Sequence, residues 1–164
     1  MLKEKINQDT KKAMQEKNEL LLLVLRGLSA AIHNKEIEKR TKLSKTEKDI
    51  KKLGELSKLE EEEIIEVIAS EAKKRKDSIV EFGKGGRQDL VDKETKELEI
   101  IKKYLPEQMS EEQIKEEAKK VIKEIGAAGP KDTGKVMSAL MAKLKGKAEG
   151  GVASKIVGEL LKGE

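Results

Sequence analysis

The chemical pattern that stands out first is the run from Gly129 to Lys135, GPKDTGK, which matches the first seven positions of a phosphate-binding loop. Such a loop needs Ser or Thr at the next position, to hold magnesium, and a strand before it. Here the next residue is Val136, the preceding segment has helical spacing, and Pro130 has no amide hydrogen. We therefore interpret the run as a turn between helices, with Asp132 or Thr133 as N-cap, and expect no cofactor.

Few other residues could catalyse a reaction. His33 is the only histidine, and no nucleophile or orienting partner can be named for it from the sequence. Glu60 to Glu63 form a run of carboxylates that suits the positive end of a helix dipole. The absence of Cys excludes disulfides, thiol catalysis and Cys-based zinc sites. We therefore expect no catalytic and no metal-binding residues.

Basic residues are the remaining candidates for function. Lys73 to Lys76 (KKRK) form a dense cluster on a helix, either a solvated face or a face for phosphates. Five lysines cluster around the turns that flank the middle helix of the C-terminal part: Lys131, Lys135, Lys143, Lys145 and Lys147. Ammonium groups at loops and helix ends could follow an RNA backbone by its shape, with strong salt dependence. Plain solvation of these lysines is the alternative.

Composition limits the other classes of function. The 36 basic and 32 acidic residues are interleaved and leave a net charge of +4, as on a solvated helical surface. Only Phe82 and Tyr104 are aromatic, which argues against binding of single strands by base stacking. The most apolar run, Leu20 to Leu25, is too short to cross a bilayer, and the N-terminus has no signal-peptide pattern. We therefore expect a cytoplasmic protein with no membrane partner.

Hydrophobic spacing predicts helices throughout and no strand. Ser44–Glu47, Ser57–Glu60 and Ser110–Gln113 each match a capping box at a helix start. The predicted N-terminal helices lie near residues 2–14, 18–40, 45–53, 58–82 and 90–104, with a break at Gly54. The second should be the central helix, since its Leu20–Leu25 run is apolar all round. Three helices follow, separated at the glycines near residues 126 and 150.

These elements predict an all-α protein of two bundles. A four-helix-type N-terminal bundle should cover residues 1–105, and a three-helix C-terminal bundle residues 109–164. Pro106 ends the preceding helix, so the linker between the bundles should lie at residues 106–108.

Several segments resemble the YqeY family of the GatB/YqeY group along essentially the whole chain. They are LRGL at 25–28, IEKR at 37–40, KRKDSI at 74–79, FGKGGRQDL at 82–90, YLPEQ at 104–108, DTGKVM at 132–137 and LKGKA at 144–148. The polar stretch near residues 45–56 looks like an insertion relative to shorter members. The resemblance implies a four-helix and a three-helix bundle. It also relates the chain to the module that closes the B subunit of the glutamine-dependent Asp/Glu-tRNA amidotransferase, where that module contacts tRNA.

The leading interpretation is a non-catalytic accessory protein that binds tRNA or another structured RNA. Lys131, Lys135, Lys143, Lys145 and Lys147 would contact phosphates, with Arg75 and Arg87 as secondary candidates. The family label, carbon–nitrogen ligase with glutamine as amide donor, would be inherited by association, since this chain has no room for the catalytic cradle. Two alternatives stay open. One is a protein adaptor that docks on an amidotransferase or a tRNA synthetase, and the other is an amidotransferase component that affects catalysis.

Overall fold

A computed structural model describes residues 1–144 and 146–162. The chain separates into two compact units, Met1–Tyr104 and a second that begins at Leu105. In the described residues the regular structure is entirely helical, so the all-α prediction is confirmed. No helix in this part of the chain is both long and apolar enough to span a bilayer.

The N-terminal unit has five helices, one of which packs against the other four. They are α1 (Leu2–Gln15), α2 (Glu19–Leu43), α3 (Ile50–Leu56), α4 (Glu61–Lys84) and α5 (Gln88–Lys102). As predicted, α2 is central, because it packs against each of the other four helices. Its residues Leu25, Leu28 and Ile32 are at most 1% exposed. On the outer side of the same helix, Leu23 is 54% exposed.

The predicted capping boxes at Ser44 and Ser57 are wrong. The Ser44 hydroxyl donates to the Thr41 carbonyl at 2.9 Å, and the Ser57 hydroxyl donates to the Gly54 carbonyl at 3.1 Å. Both serines therefore follow the last residue of a helix, α2 and α3 respectively. A hydroxyl can donate to a carbonyl at the end of a helix as readily as it can accept an amide at the start, so residue type alone did not distinguish the two ends.

The predicted short helix before α4 is present, but its predicted bounds of 45–53 and the break at Gly54 are wrong. Asp49 starts α3 instead, and its carboxylate accepts the amides of Lys51 and Lys52 at 2.8 and 3.2 Å. The helix then continues through Gly54 to Leu56. Burial of Leu53, which is 8% exposed, offsets the weak helix propensity of glycine.

Tyr104 joins the end of α5 to α1. Its side chain is 7% exposed, and its hydroxyl donates to Asp9 Oδ2 at 2.7 Å. The ammonium group of Lys5 lies 5.5 Å from the centre of the ring. Burial and the Asp9 carboxylate raise the pKa of the Tyr104 hydroxyl, because both disfavour the phenolate.

The C-terminal unit contains three helices that pack on one another, α6 (Glu111–Ile125), α7 (Thr133–Leu144) and α8 (Gly150–Lys162). The capping box at Ser110 is confirmed: its hydroxyl accepts the Gln113 amide at 3.3 Å, and Gln113 Oε1 accepts the Ser110 amide at 2.9 Å. Gly126 ends α6 in the left-handed region, with φ +68°. The core is made of side chains from all three helices, including Ala118, Val121, Val136, Leu140, Ala153 and Val157, each fully buried.

Two hydrogen bonds attach the segment before α6 to the loop between α7 and α8. The Met109 amide donates to the Lys147 carbonyl at 2.8 Å, and the Gln108 side chain donates to the Gly146 carbonyl at 2.9 Å. These contacts shape the loop that carries Lys147, one of the predicted phosphate-binding residues.

Candidate nucleic-acid surface

The predicted lysines of the C-terminal unit lie at both ends of α7. Lys131 is in the 3₁₀ turn Pro130–Asp132 that precedes the helix, and its side chain is exposed. Lys135 is in the first turn, with a side chain 77% exposed and its Nζ 4.0 Å from Asp132 Oδ1. Among the residues that the structure describes, Lys131 has no ion-pair partner. The contact between Lys135 and Asp132 is long for a salt bridge, and therefore weak.

The lysines at the other end of α7 differ from one another. Lys143 is in the last turn, and its Nζ lies 2.6 Å from Glu124 Oε2 on α6. Lys147 is in the loop after α7, exposed and without an ion-pair partner in the described part of the chain. Lys145 lies outside the described residues. Lys131, Lys135 and Lys147 are therefore the described members of the set whose charge is most available to a ligand.

The three available lysines do not form one tight cluster. The eight residues from Lys135 to Lys143 correspond to about 12 Å along α7, so the predicted cations flank the helix at both ends. The segment 131–162 contains seven lysines and three acidic residues, whereas 105–130 contains four lysines and six acidic residues. We call Lys131, Lys135 and Lys147 the α7 lysines; they belong to the more basic of these two sequence segments.

The loop before α7 does not have the construction of a phosphate-binding loop. It follows helix α6, and Val136, at the position where a magnesium-binding hydroxyl would be needed, is fully buried. Asp132 occupies the predicted N-cap position, directly before the first residue of α7, but its side chain does not cap the helix. Asp132 Oδ2 accepts the Ala128 amide at 3.1 Å, and the Thr133 hydroxyl donates to the Pro130 carbonyl at 2.7 Å. Both side chains therefore stabilise the turn rather than the start of α7.

Arg75 is engaged inside the N-terminal unit. Its guanidinium lies 3.2 Å from Glu94 Oε2 and 3.1 Å from Glu97 Oε2, both on α5. Glu97 is 3% exposed, so this arginine compensates a buried carboxylate. In sequence, Arg75 continues the apolar stripe of α4 and Glu97 that of α5. A pair of opposite charges on two buried stripes is the signal that could have identified this contact.

Arg87 is paired as well. Its Nε and Nη2 donate to the two carboxylate oxygens of Asp89 at 2.9 and 2.8 Å. This two-point contact lowers the pKa of the Asp89 carboxyl, chiefly through the hydrogen bonds. Arg75 and Arg87 thus lie in the N-terminal unit and each already has an acidic partner.

The basic cluster Lys73–Lys76 does not present a single face. Lys73 is exposed, Lys74 pairs with Glu71 one turn before it, and Arg75 points to α5. Burial, and to a lesser extent the nearby Lys102, lower the pKa of the Lys76 ammonium group. Helical spacing therefore divides the four cations among different environments.

The histidine and the carboxylate run that were considered for catalysis lie on helix α2 and at the start of helix α4. His33 is exposed on α2. Glu63 contacts Lys39 of α2, with oxygen–nitrogen distances of 2.9 and 2.6 Å, and also accepts the Glu60 amide at the start of α4. The Lys39 hydrogen bonds are the main reason that the pKa of Glu63 is lowered. In the described residues there is no group of three or more side chains that could hold a metal ion.

Comparison with known proteins identifies a family and several similar proteins. The family model described as "Yqey-like protein" matches residues 3–161. The chain is also similar to proteins named "Altered inheritance of mitochondria protein 41, mitochondrial". It is 37% identical to the one from Kluyveromyces lactis over 99 residues, 60% of this chain and 45% of that protein. For the protein from Lachancea thermotolerans the identity is 38% over 100 residues, which are 61% of this chain and 46% of that protein. For the protein from Saccharomyces cerevisiae the identity is 36% over 97 residues, which are 59% of this chain and 44% of that protein.

The matched region thus spans less than half the length of these curated relatives. The family match covers nearly every residue of the chain, including both helical units. The chain belongs to the YqeY-like family.

Proposed function

We propose that the protein binds structured RNA, tRNA included, through the α7 lysines and catalyses no reaction of its own. The observation that carries this proposal is the exposure of Lys131, Lys135 and Lys147 at the two ends of one short helix, with no close carboxylate on Lys131 or Lys147 among the described residues. Exposed ammonium groups release counterions when they meet phosphates, which favours binding to an anionic polymer.

The residue types restrict what such a surface could read. The sequence has no arginine after Arg87 and no aromatic residue after Tyr104. The C-terminal unit therefore lacks the planar guanidinium group, with its fixed fork of donors, and the aromatic rings that stack on bases. Lysine acts as a point charge on phosphate, so recognition should follow the shape of the RNA backbone rather than its sequence.

The test is titration of the full chain with a labelled tRNA transcript at several salt concentrations. The triple variant Lys131→Gln, Lys135→Gln, Lys147→Gln should weaken binding and reduce the slope of log K against log salt by roughly 2 to 3, about 0.7–0.9 per phosphate contact. A matched control is the triple variant Lys11→Gln, Lys42→Gln, Lys96→Gln, which removes the same charge from exposed positions of the N-terminal unit. Absence of binding at about 50 mM salt, or equal losses in both triple variants, would contradict the proposal.

The relation to tRNA-dependent amidotransfer belongs to the same proposal. If the chain acted as an amidotransferase component, adding it to a transamidation assay should change the rate, and an unchanged rate would dismiss that function.

The predicted cytoplasmic location is tested by imaging the tagged protein in cells. The names of the relatives place those proteins in mitochondria, and a mitochondrial signal would overturn the prediction for this chain.

A second function, a protein adaptor that docks on an amidotransferase or a tRNA synthetase, is favoured by one observation. Helix α2 exposes apolar side chains on its outer side, with Leu23 54% and Ile37 48% exposed. Recovery of such an enzyme with the tagged chain after nuclease treatment would favour docking on protein over binding of RNA. Loss of the enzyme on nuclease treatment would favour RNA.

A further inference from the structure

An open groove runs between α2 and α4 in the N-terminal unit. Its volume is about 660 Å³, and none of the α7 lysines contributes to it. The side of the groove formed by α2 has the small residues Gly27, Ala30 and Ala31, while Val67 and Ser70 come from α4. We call it the α2–α4 groove. Its lining extends from residue 27 to residue 38 of α2, about three turns of helix.

The packing of the described residues does not require a glycine at position 27. Gly27 lies in the interior of α2, and a Cβ added there would meet no atom within 4 Å apart from its chain neighbours and the nearby backbone of α2. A helix with glycine in its interior is less stable than the same helix with alanine there by about 1 kcal/mol. A missing side chain at this point does, however, allow another backbone to approach α2 closely.

The exposed side of α2 has the spacing of a helix–helix contact. Leu23, Gly27, Ala30, Asn34 and Ile37 follow one another at intervals of four, three, four and three residues, and all five are exposed. Alternating steps of three and four keep side chains on one seam of a helix, as in coiled coils. The buried side of α2 has the same spacing and packs on the other helices of the unit. The exposed seam thus has the spacing of a helix–helix contact, although no described helix of the chain covers it.

The charge of the groove favours a basic partner. Four carboxylates line it, together with the two lysines Lys35 and Lys74, although the protein as a whole has a net charge of +4. Three of the four glutamates have lysine partners at 3.1 Å or less. The fourth, Glu66, is exposed and forms no ion pair with another described residue. A cation placed beside Glu66 would therefore gain a partner, whereas a nucleic acid would be repelled.

We propose that the α2–α4 groove binds a basic amphipathic α-helix of a partner protein. The small or apolar side of that helix would pack on Gly27, Ala30 and Ala31, and a lysine or arginine on its flank would meet Glu66. A second copy of this chain fits less well, because a two-fold contact through the same seam would bring its own acidic rim against itself. The proposal deepens the adaptor function and does not depend on RNA binding.

The experiment uses the full chain, labelled with ¹⁵N, and a designed helical peptide of about 16 residues, or about 24 Å. The peptide carries alanine and leucine on one face and lysine on its flanks. Two comparison peptides have glutamate in place of lysine, or the same composition in scrambled order. Amide signals of Gly27, Ala30 and Ala31 should shift with the lysine peptide and with neither comparison peptide. Shifts confined to other residues, or equal shifts with all three peptides, would overturn the proposal.

Variants locate the contact. Gly27→Leu fills the floor of the groove, and Glu66→Lys reverses the free charge; each should weaken peptide binding roughly tenfold. Gly151→Leu is the steric control, since Gly151 is exposed with open space around its Cβ position. Glu99→Lys is the charge control at an exposed position of α5. Unchanged binding by both groove variants, or equal losses in variants and controls, would contradict docking in the groove; circular dichroism verifies that each variant is folded.

The same variants separate this proposal from RNA binding. Gly27→Leu should leave the affinity for tRNA unchanged, and the triple variant of the α7 lysines should leave peptide binding unchanged. Loss of both activities in either variant would overturn the independence of the two surfaces.

Discussion

Arg75 illustrates how a cation becomes part of a core. Its guanidinium bridges Glu94 and Glu97 of α5, and its own Nε is buried without a hydrogen-bond partner among the described groups. Removal of one member of a buried ion pair leaves the other charge buried without a partner. The resulting loss of stability is larger than the net stabilisation that the intact pair provides. The role of Arg75 is therefore to make the burial of Glu97 tolerable.

We expect Arg75→Met to lower the free energy of unfolding by about 3 kcal/mol, because Glu97 would remain buried as an unpaired carboxylate. The double variant Arg75→Met, Glu97→Leu should recover part of that loss, because the buried Glu97 carboxylate is gone, while Glu94, whose side chain is 12% exposed, still lacks its partner. Chemical denaturation measures both values. A double variant no more stable than the single one would contradict this explanation.

Tyr104 predicts a specific pH dependence. Its folded-state pKa lies above the unfolded value near 10, so its contribution to stability is complete below pH 10 and is lost as pH rises through the folded pKa. Lysines also titrate in this range, and Tyr104→Phe isolates the tyrosine. The variant should be less stable at pH 8 by about 1–2 kcal/mol, through loss of the hydrogen bond to Asp9. The difference from the native chain should shrink between pH 10 and 11, and a constant difference would count against the assignment.

At the scale of elements, helix ends depend on backbone conformation as much as on residue type. Gly126 ends α6 with φ +68°, a conformation that strains other residues. Gly129, three residues later, has an extended backbone that any residue can adopt, and it is likewise surrounded by open space.

We therefore expect Gly126→Ala to destabilise the C-terminal unit by about 1 kcal/mol, because alanine pays the steric cost of the left-handed region. Gly129→Ala should change stability by less than about 0.5 kcal/mol, as ordinary surface substitutions do. Thermal unfolding followed by NMR signals of α6 to α8 provides the measurement. Equal effects at the two positions would show that the conformation of Gly126 is not what matters.

At the scale of the whole molecule, the two units have separate cores. The buried cluster of the C-terminal unit is formed by residues of α6, α7, α8 and the loop before α8. We expect substitutions to act locally: Arg75→Met should lower the unfolding transition of α1 to α5, and Gly126→Ala that of α6 to α8. Hydrogen exchange resolved by residue provides the readout. A common shift of all amides in either variant would indicate that the units unfold as one.

Much of the architecture followed from the sequence alone. The three- and four-residue spacing of apolar residues determined the helical class, because that spacing creates one buried face per helix. The run Leu20–Leu25, which is apolar all round, predicted that α2 is central, and Ser110 with Gln113 defined the start of α6. The family was likewise recognisable from short motifs distributed along the chain.

Only the tertiary structure decided which charges and faces remain available. Lys143 and Glu124 are 19 residues apart, and Lys39 and Glu63 are 24 apart, yet each pair is in contact. Such pairings depend on how helices pack, which local spacing does not encode. Helix α2 has the same spacing on two sides, and packing against α1, α3, α4 and α5 covered only one of them. The physical reason is that burial is a property of the assembled surface, whereas periodicity is a property of one helix.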